Sequence, residues 1–223
     1  MNCNETIYKE GCPTMYTCAS CSKHSCEFGK LDDAPKNCPS VEPELAEIKK
    51  LYEDDTNKNL AYCAAQTEAD GYCQKTRIEE IMDFADRCGF KKLGVAFCAG
   101  FKKEAAILCK VLTHNGFEVD SIVCKNGSIP KEYLGIRDAE KVRPGTYEPM
   151  CNPIGQAIFL NKAKTQLNLI LGLCVGHDSL FIKHSEAPVT VFAAKDRVLA
   201  HNPLGALYLA DSYYKNKLFN RKK

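Results

Sequence analysis

Tryptophan is absent from the 223 residues, and so is any apolar run long enough to span a membrane. The opening residues, Met1-Asn2-Cys3-Asn4-Glu5, lack the basic and apolar regions of a secretory leader. Charge is equally unremarkable in total: a net +2 leaves no electrostatic footprint for nucleic acid or a membrane surface. No internal repeat or low-complexity tract is visible. These absences point to a cytoplasmic protein that acts on a small molecule rather than on nucleic acid or lipid. Oligomeric state is not legible.

Cysteine, by contrast, is abundant, with fourteen residues. Disulfide scaffolds belong to short secreted chains, and cytoplasmic thiols stay reduced. In a chain of this size the cysteines are read instead as thiolate ligands or catalytic thiols. They fall into two groups and a remainder.

The first group lies in residues 1–42, a segment with Pro13, Pro35 and Pro39 and almost no apolar periodicity. Such a stretch cannot bury a core, so a metal is the expected staple. Cys18-x2-Cys21-x4-Cys26-x11-Cys38-Pro39 supplies four thiolates, the set that one zinc ion or one [4Fe–4S] cluster takes. Only one short Cys-x-x-Cys knuckle is present, and the Cys-Pro ending resembles ferredoxin ligation, so iron–sulfur is preferred and zinc is the alternative. His24 could replace one thiolate in a zinc site. Cys3 and Cys12 are unassigned.

The second group depends on the fold expected of residues 43–223. Helical periodicity covers Pro43 to Tyr52, and a second helix covers Asn59 to Ala69. Thr76 with Glu79 starts a third as a capping box. Apolar runs and helical patterns then alternate. Strands are expected at Lys92–Phe97, Phe117–Val123, Leu167–Leu173 and Val189–Ala194. Helices are expected at Phe101–His114, Pro153–Lys162 and His177–His184, with a last one from Asn202-Pro203 to Leu218. Residues 125–150 form an irregular connection. The pattern implies an α/β protein: a Rossmann-like, three-layer domain with a short, mainly parallel four-stranded sheet, preceded by the cysteine-rich segment and its helices.

In such a sheet every strand ends on one edge, where ligands bind. Cys98 and Cys124 follow the first two strands, Cys151 precedes a helix, and Cys174 follows the third strand. With the order 2-1-3-4, Cys98 and Cys174 are expected to face each other across the switch point. Four converging thiolates are the ligand set of an iron–sulfur cluster. Alternatively three bind iron and Cys124 stands beside them as a nucleophile. His177 is the acid/base candidate, with Asp178 as its orienting carboxylate or as a helix cap. Lys125, and Lys195 and Arg197 after the fourth strand, are candidates for holding an anionic group. Cys88 and Cys109 read as packing; Cys63 and Cys73 lie in the helical region without an assigned role.

The segments Gly94-Val95-Ala96-Phe97-Cys98, Cys151-Asn152-Pro153-Ile154-Gly155-Gln156-Ala157, Gly172-Leu173-Cys174-Val175-Gly176-His177-Asp178, and Lys195-Asp196-Arg197-Val198 with His201-Asn202-Pro203 carry a resemblance. They resemble an uncharacterised prokaryotic family, a domain of unknown function labelled "predicted metal-binding protein". The resemblance spans most of the chain from Cys18 onward and implies metal binding through cysteines. The site layout is also loosely similar to that of cluster-dependent desulfidases, which bind substrate sulfur at an open iron. The function expected is therefore an iron–sulfur enzyme or redox protein with a small substrate, desulfurisation included, and an electron-transfer partner. The competing readings are a zinc-stabilised adaptor and a thiol-based sulfur or redox carrier.

Overall fold

The computed structural model describes residues 16–220. The expectations about Cys3, Cys12, Pro13 and the N-terminal sequence lie outside these residues. The chain divides into two compact units, Met1–Ala64 and Ala65–Lys223.

In the first unit the cysteine-rich segment folds as short 3-10 turns at Cys18–Ser20, Leu31–Asp33 and Pro39–Val41. No residue within those turns is buried. Helix α1 (Leu45–Leu51) follows, then α2 (Asp55–Gly71). Asp54 starts α2 by accepting the backbone N–H groups of Thr56 and Asn57 at 3.1 and 3.0 Å, so the helix begins before Asn59.

In the second unit, helix α3 (Arg77–Arg87) opens as expected. Glu79 Oε2 accepts both the N–H and the hydroxyl of Thr76, at 2.7 and 2.5 Å. Then come β1 (Lys92–Phe97), α4 (Lys102–His114), β2 (Glu118–Val123), α5 (Pro153–Lys162), β3 (Leu167–Leu171), α6 (His177–His184) and β4 (Val189–Ala193). The sheet is all parallel, in the order β2-β1-β3-β4. The Rossmann-like α/β arrangement is the one read from the sequence, and the strand order is the one on which the expected placing of the cysteines rests.

Alternation along β1 decides the two faces. Leu93, Val95 and Phe97 pack with Leu167, Leu169 and Leu171 of β3 against Ile81 and Ala85 of α3 and Ala105, Leu108 and Leu112 of α4. Ala96 and Ile170 point the other way, onto Ala157 and Leu160 of α5 and Phe181 of α6. Burial on both faces is why β3 reads as a continuous apolar run. Gly94 is small of necessity, since a Cβ there would sit 2.0 Å from Asn168 Oδ1. That buried amide accepts from the Thr165 hydroxyl and donates to Ser185 Oγ, both at 2.8 Å.

In the second unit β3 and the last helix also differ from expectation. β3 stops at Leu171, because Gly172 turns into the left-handed region at φ +63°. The single last helix is instead two short ones, α7 (Leu204–Tyr208) and α8 (Lys215–Phe219). Leu209 C=O is taken by the Ser212 hydroxyl and the Tyr214 N–H, at 3.3 and 3.0 Å, which breaks the helical ladder between them. Neither α7 nor α8 contains a buried residue, so no packed face restores it.

Candidate functional site

The carboxyl ends of β1 and β2 are joined in register through Phe97 and Val123, and Cys124 N–H continues the ladder to Phe97 C=O at 2.8 Å. Cys98 and Cys124 therefore stand side by side, each one residue beyond the last registered pair. Gln156, fully buried on α5, ties the same two ends together: its Nε2 donates to Phe97 C=O (3.2 Å) and Ile122 C=O (2.6 Å). Its Oε1 is buried without a partner.

Cys151 reaches this edge through the 125–150 connection. Asn152 N–H donates to Cys124 C=O at 2.7 Å, and Asn152 Nδ2 donates to Asn126 Oδ1 at 3.0 Å. Asn152 Oδ1 then caps α5 by accepting Gly155 N–H at 2.9 Å, with Pro153 at the first helical position. One asparagine thus starts a helix and sets where Cys151 sits. Asn152→Ala should cost about 0.5–2 kcal/mol, the range for a lost N-cap, measured by urea unfolding. It should also loosen Cys151, read as faster hydrogen exchange over residues 150–155.

Cys124 is 2% exposed, whereas Cys98, Cys151 and Cys174 are half-buried. Cys98 and Cys151 are the neighbours that dominate the electrostatics of the Cys124 thiol, so the three thiols adjoin one another at this edge. Ala99 N–H donates to Cys124 Sγ at 3.3 Å. Those two neighbours, first Cys151 and then Cys98, together with burial, push the Cys124 thiol far above its ordinary range. The same proximity works oppositely on the neighbours. The adjoining Cys124 thiol outweighs burial and, with Gly100 N–H and Lys195, lowers Cys98 to about 4. It likewise lowers Cys151 to about 5, helped by Lys125 and His177.

Cations line these thiols. Lys195 Nζ lies 3.1 Å from Cys98 Sγ and 4.4 Å above the Phe101 ring. Phe101 in turn stacks on His201 at 4.5 Å, and His201 Nδ1 accepts Asp196 N–H at 3.1 Å. Asp196 Oδ1 folds the loop by accepting the N–H groups of Val198 and Leu199, both at 2.9 Å. That fold delivers Arg197 Nη2 to Cys174 Sγ at 3.0 Å. Lys125 Nζ, anchored on Pro149 C=O at 2.6 Å, hydrogen-bonds with Cys151.

The structure thus brings Cys98, Cys124, Cys151, Cys174, Lys125, Lys195, Arg197 and His177 to one sheet edge. Cys98 adjoins Cys124, the residue after β2, while Cys174, beyond the left-handed turn at Gly172, has Arg197 at its sulfur. His177 Nδ1 is buried without a hydrogen-bond partner, and Asp178 accepts Ser179 N–H at 2.8 Å on its own helix. Phe101, His201 and Gln156 are supports to which the sequence assigns no role, although Gln156 and His201 lie in the segments that carry the family resemblance. Gln156 offered the one signal: a polar residue on the apolar face of the helix that follows Cys151.

In the first unit Cys18, Cys21 and Cys38 line one pocket of about 170 Å³, while Cys26 is exposed outside that lining. His24 pairs with Glu27 at 2.9 Å. Cys63 is buried and meets Asn59 Oδ1 at 3.7 Å, Cys73 is exposed, and Cys109 packs on the first face of the sheet. Among the described residues no three His, Cys, Asp or Glu side chains gather as ligands for one metal ion. Among them too, no helix is long and apolar enough to cross a membrane.

These features define a cysteine-rich protein on a parallel α/β sheet with cation-lined thiols at the edge where its strands end. The chain belongs to the family described as protein of unknown function DUF1847, whose model matches residues 37–192. It is 44% identical over 205 residues to the uncharacterized protein MJ0455 of Methanocaldococcus jannaschii, covering 92% of this chain and 99% of that one. The family description names neither a metal nor a reaction. No solved structure matches the chain.

Proposed function

We propose that the protein is an iron–sulfur protein whose cluster is held at the sheet edge by Cys98, Cys124, Cys151 and Cys174, and that it acts there on a small anionic substrate. The observation that carries this reading is the meeting of cysteines from three separate chain segments at one sheet edge, with cations beside them. Amide and ammonium donors to sulfur suit an anionic cluster, whose properties follow hydrogen bonding to its sulfurs. Zinc, which takes four thiolates at about 2.3 Å, is the alternative occupant.

Were Cys98, Cys151 and Cys174 alone to hold the cluster, with Cys124 beside them as a free thiol, the iron left without a protein ligand would supply a Lewis-acid site for substrate sulfur, and the cluster a one-electron store. The chain's own residues do the rest. Lys125, Lys195 and Arg197 hold the anionic group, and His177, with its unpartnered Nδ1, exchanges a proton. Asp178 stays with its helix start. Cys18, Cys21, Cys26 and Cys38 form a second centre that braces the N-terminal segment or relays electrons from a donor protein. Desulfurisation is the reaction class this layout suits.

Iron, zinc and acid-labile sulfide on anaerobically purified protein test the reading. A brown protein that dithionite bleaches is expected. Cys98→Ser should lose the iron and sulfide of the sheet-edge centre, and Cys21→Ser that of the N-terminal one. Colourless protein without iron or sulfide would overturn it, and one zinc per chain with no iron would favour a structural zinc site.

A further inference from the structure

We propose that Cys98 and Cys124 form a reversible dithiol–disulfide couple in the cluster-free protein, with Cys98 as the attacking thiolate and Cys124 as the resolving thiol. This goes beyond the cluster reading and does not depend on it.

Strand register makes the pair closable. Registered residues on adjacent strands stand about 4.8 Å apart, inside the roughly 4.4–6.8 Å between Cα atoms that a disulfide spans. Cys98 and Cys124 each stand one residue beyond the Phe97–Val123 pair; Cys124 N–H donates to Phe97 C=O at 2.8 Å, and Ala99 N–H, next to Cys98, donates to Cys124 Sγ at 3.3 Å. Cys151 also adjoins Cys124, but it enters from the 125–150 connection, whereas Cys98 and Cys124 directly continue two paired strands. That continuation of the register selects Cys98 as the partner.

Accessibility divides the labour. Cys98 is half-buried, open to a small molecule, and paired with Lys195 Nζ at 3.1 Å. Cys124, at 2% exposure, meets an external reagent only through its neighbours. The oxidant is a low-molecular-weight disulfide, RSSR. Cys98 thiolate attacks one sulfur, a Cys98–S–S–R bond forms and RS⁻ leaves. Cys124 then attacks Cys98 Sγ, the mixed disulfide breaks, and the second thiol departs as RSH with the Cys124 proton. The two cysteines lose two electrons and RSSR gains them. The closed pair has neither thiolate left for a metal, so oxidation and metal loading at this edge exclude each other.

The experiment uses the full chain, reduced, freed of metal under anaerobic conditions, and exposed to oxidised glutathione. Peptide mapping by mass spectrometry should find Cys98 linked to Cys124, with loss of two titratable thiols at these positions and full recovery on adding dithiothreitol. Cys124→Ser should instead retain glutathione on Cys98, and Cys151→Ser should still form the linkage. Unreacted thiols at both positions, a Cys124–Cys151 linkage in place of the expected one, or no Cys98 adduct in Cys124→Ser would each overturn the proposal. The two readings fail separately. A brown, iron-containing protein whose metal-free form makes no Cys98–Cys124 bond sinks the couple and leaves the cluster. An iron-free, sulfide-free protein that makes the bond does the reverse.

Discussion

In protein reduced and freed of metal, Cys98 and Cys151 should react with iodoacetamide at rates that stay nearly level from pH 9 down to pH 6. A peptide cysteine with an ordinary pKa near 8.5 slows on the order of 200-fold over the same interval, as its thiolate fraction disappears. The two site thiols instead sit at about 4 and about 5, held there first by the adjoining Cys124 thiol, against burial. Absolute rates will be modest, because nucleophilicity falls with pKa at a Brønsted coefficient of roughly 0.4–0.5. The shape of the profile is therefore the diagnostic, read for each cysteine by mass spectrometry. Lys195→Met removes the ammonium from Cys98 and should move the Cys98 profile to higher pH while leaving Cys151 in place. Rates that fall in step with a peptide thiol would contradict the arrangement of protons among these thiols.

The same lowered values bear on stability. A thiol whose folded pKa lies below its unfolded one stabilises the fold fully above the unfolded value, near 8.5. That contribution shrinks as pH falls and is gone once both folded values, about 5 and then about 4, are passed. Metal-free wild type should therefore lose more of its urea midpoint between pH 8.5 and pH 5 than Cys98→Ser does.

Gly172→Ala should destabilise the protein by about 2–6 kcal/mol, from backbone strain of about 1–3 and overpacking of about 1–3. Gly172 has φ +63°, and a Cβ there would come within 2.1 Å of Phe101 ring carbon. The ring is buried at 7% exposure and cannot step aside without disturbing the first-face core. It is also the platform for Lys195 and the stacking partner of His201. Thermal or urea unfolding gives the stability loss. The alkylation profile of Cys98 should shift to higher pH in the folded variant, since Lys195 loses its seat. A drop in stability with an unchanged Cys98 profile would show that Phe101 does not position the lysine.

Much of this architecture is written in local pattern. Strand β1, helix α6, the Thr76–Glu79 start of α3 and the Asn152-Pro153 start of α5 occur where periodicity and capping chemistry put them, because each depends on residues within a few positions of one another. Helical patterns between apolar runs imply parallel strands with right-handed crossovers, but the order of the strands is set by tertiary packing. The last helix was misjudged because one hydroxyl, Ser212, competes for a carbonyl in a stretch with no buried face to favour the helix.

The site was half legible. By itself the sequence determined which cysteines end on the ligand-binding edge, since that follows from strand boundaries and the direction of parallel strands. Only the tertiary structure decided who touches whom. Cys124 stands between Cys98 and Cys151 because strand register and the Asn126–Asn152 contact bring them together across 53 positions of chain, and Cys174, beyond the turn at Gly172, has Arg197 at its sulfur. Side-chain pairing across strands is set by register and by loop closure, and neither has a periodicity that a one-dimensional reading can detect.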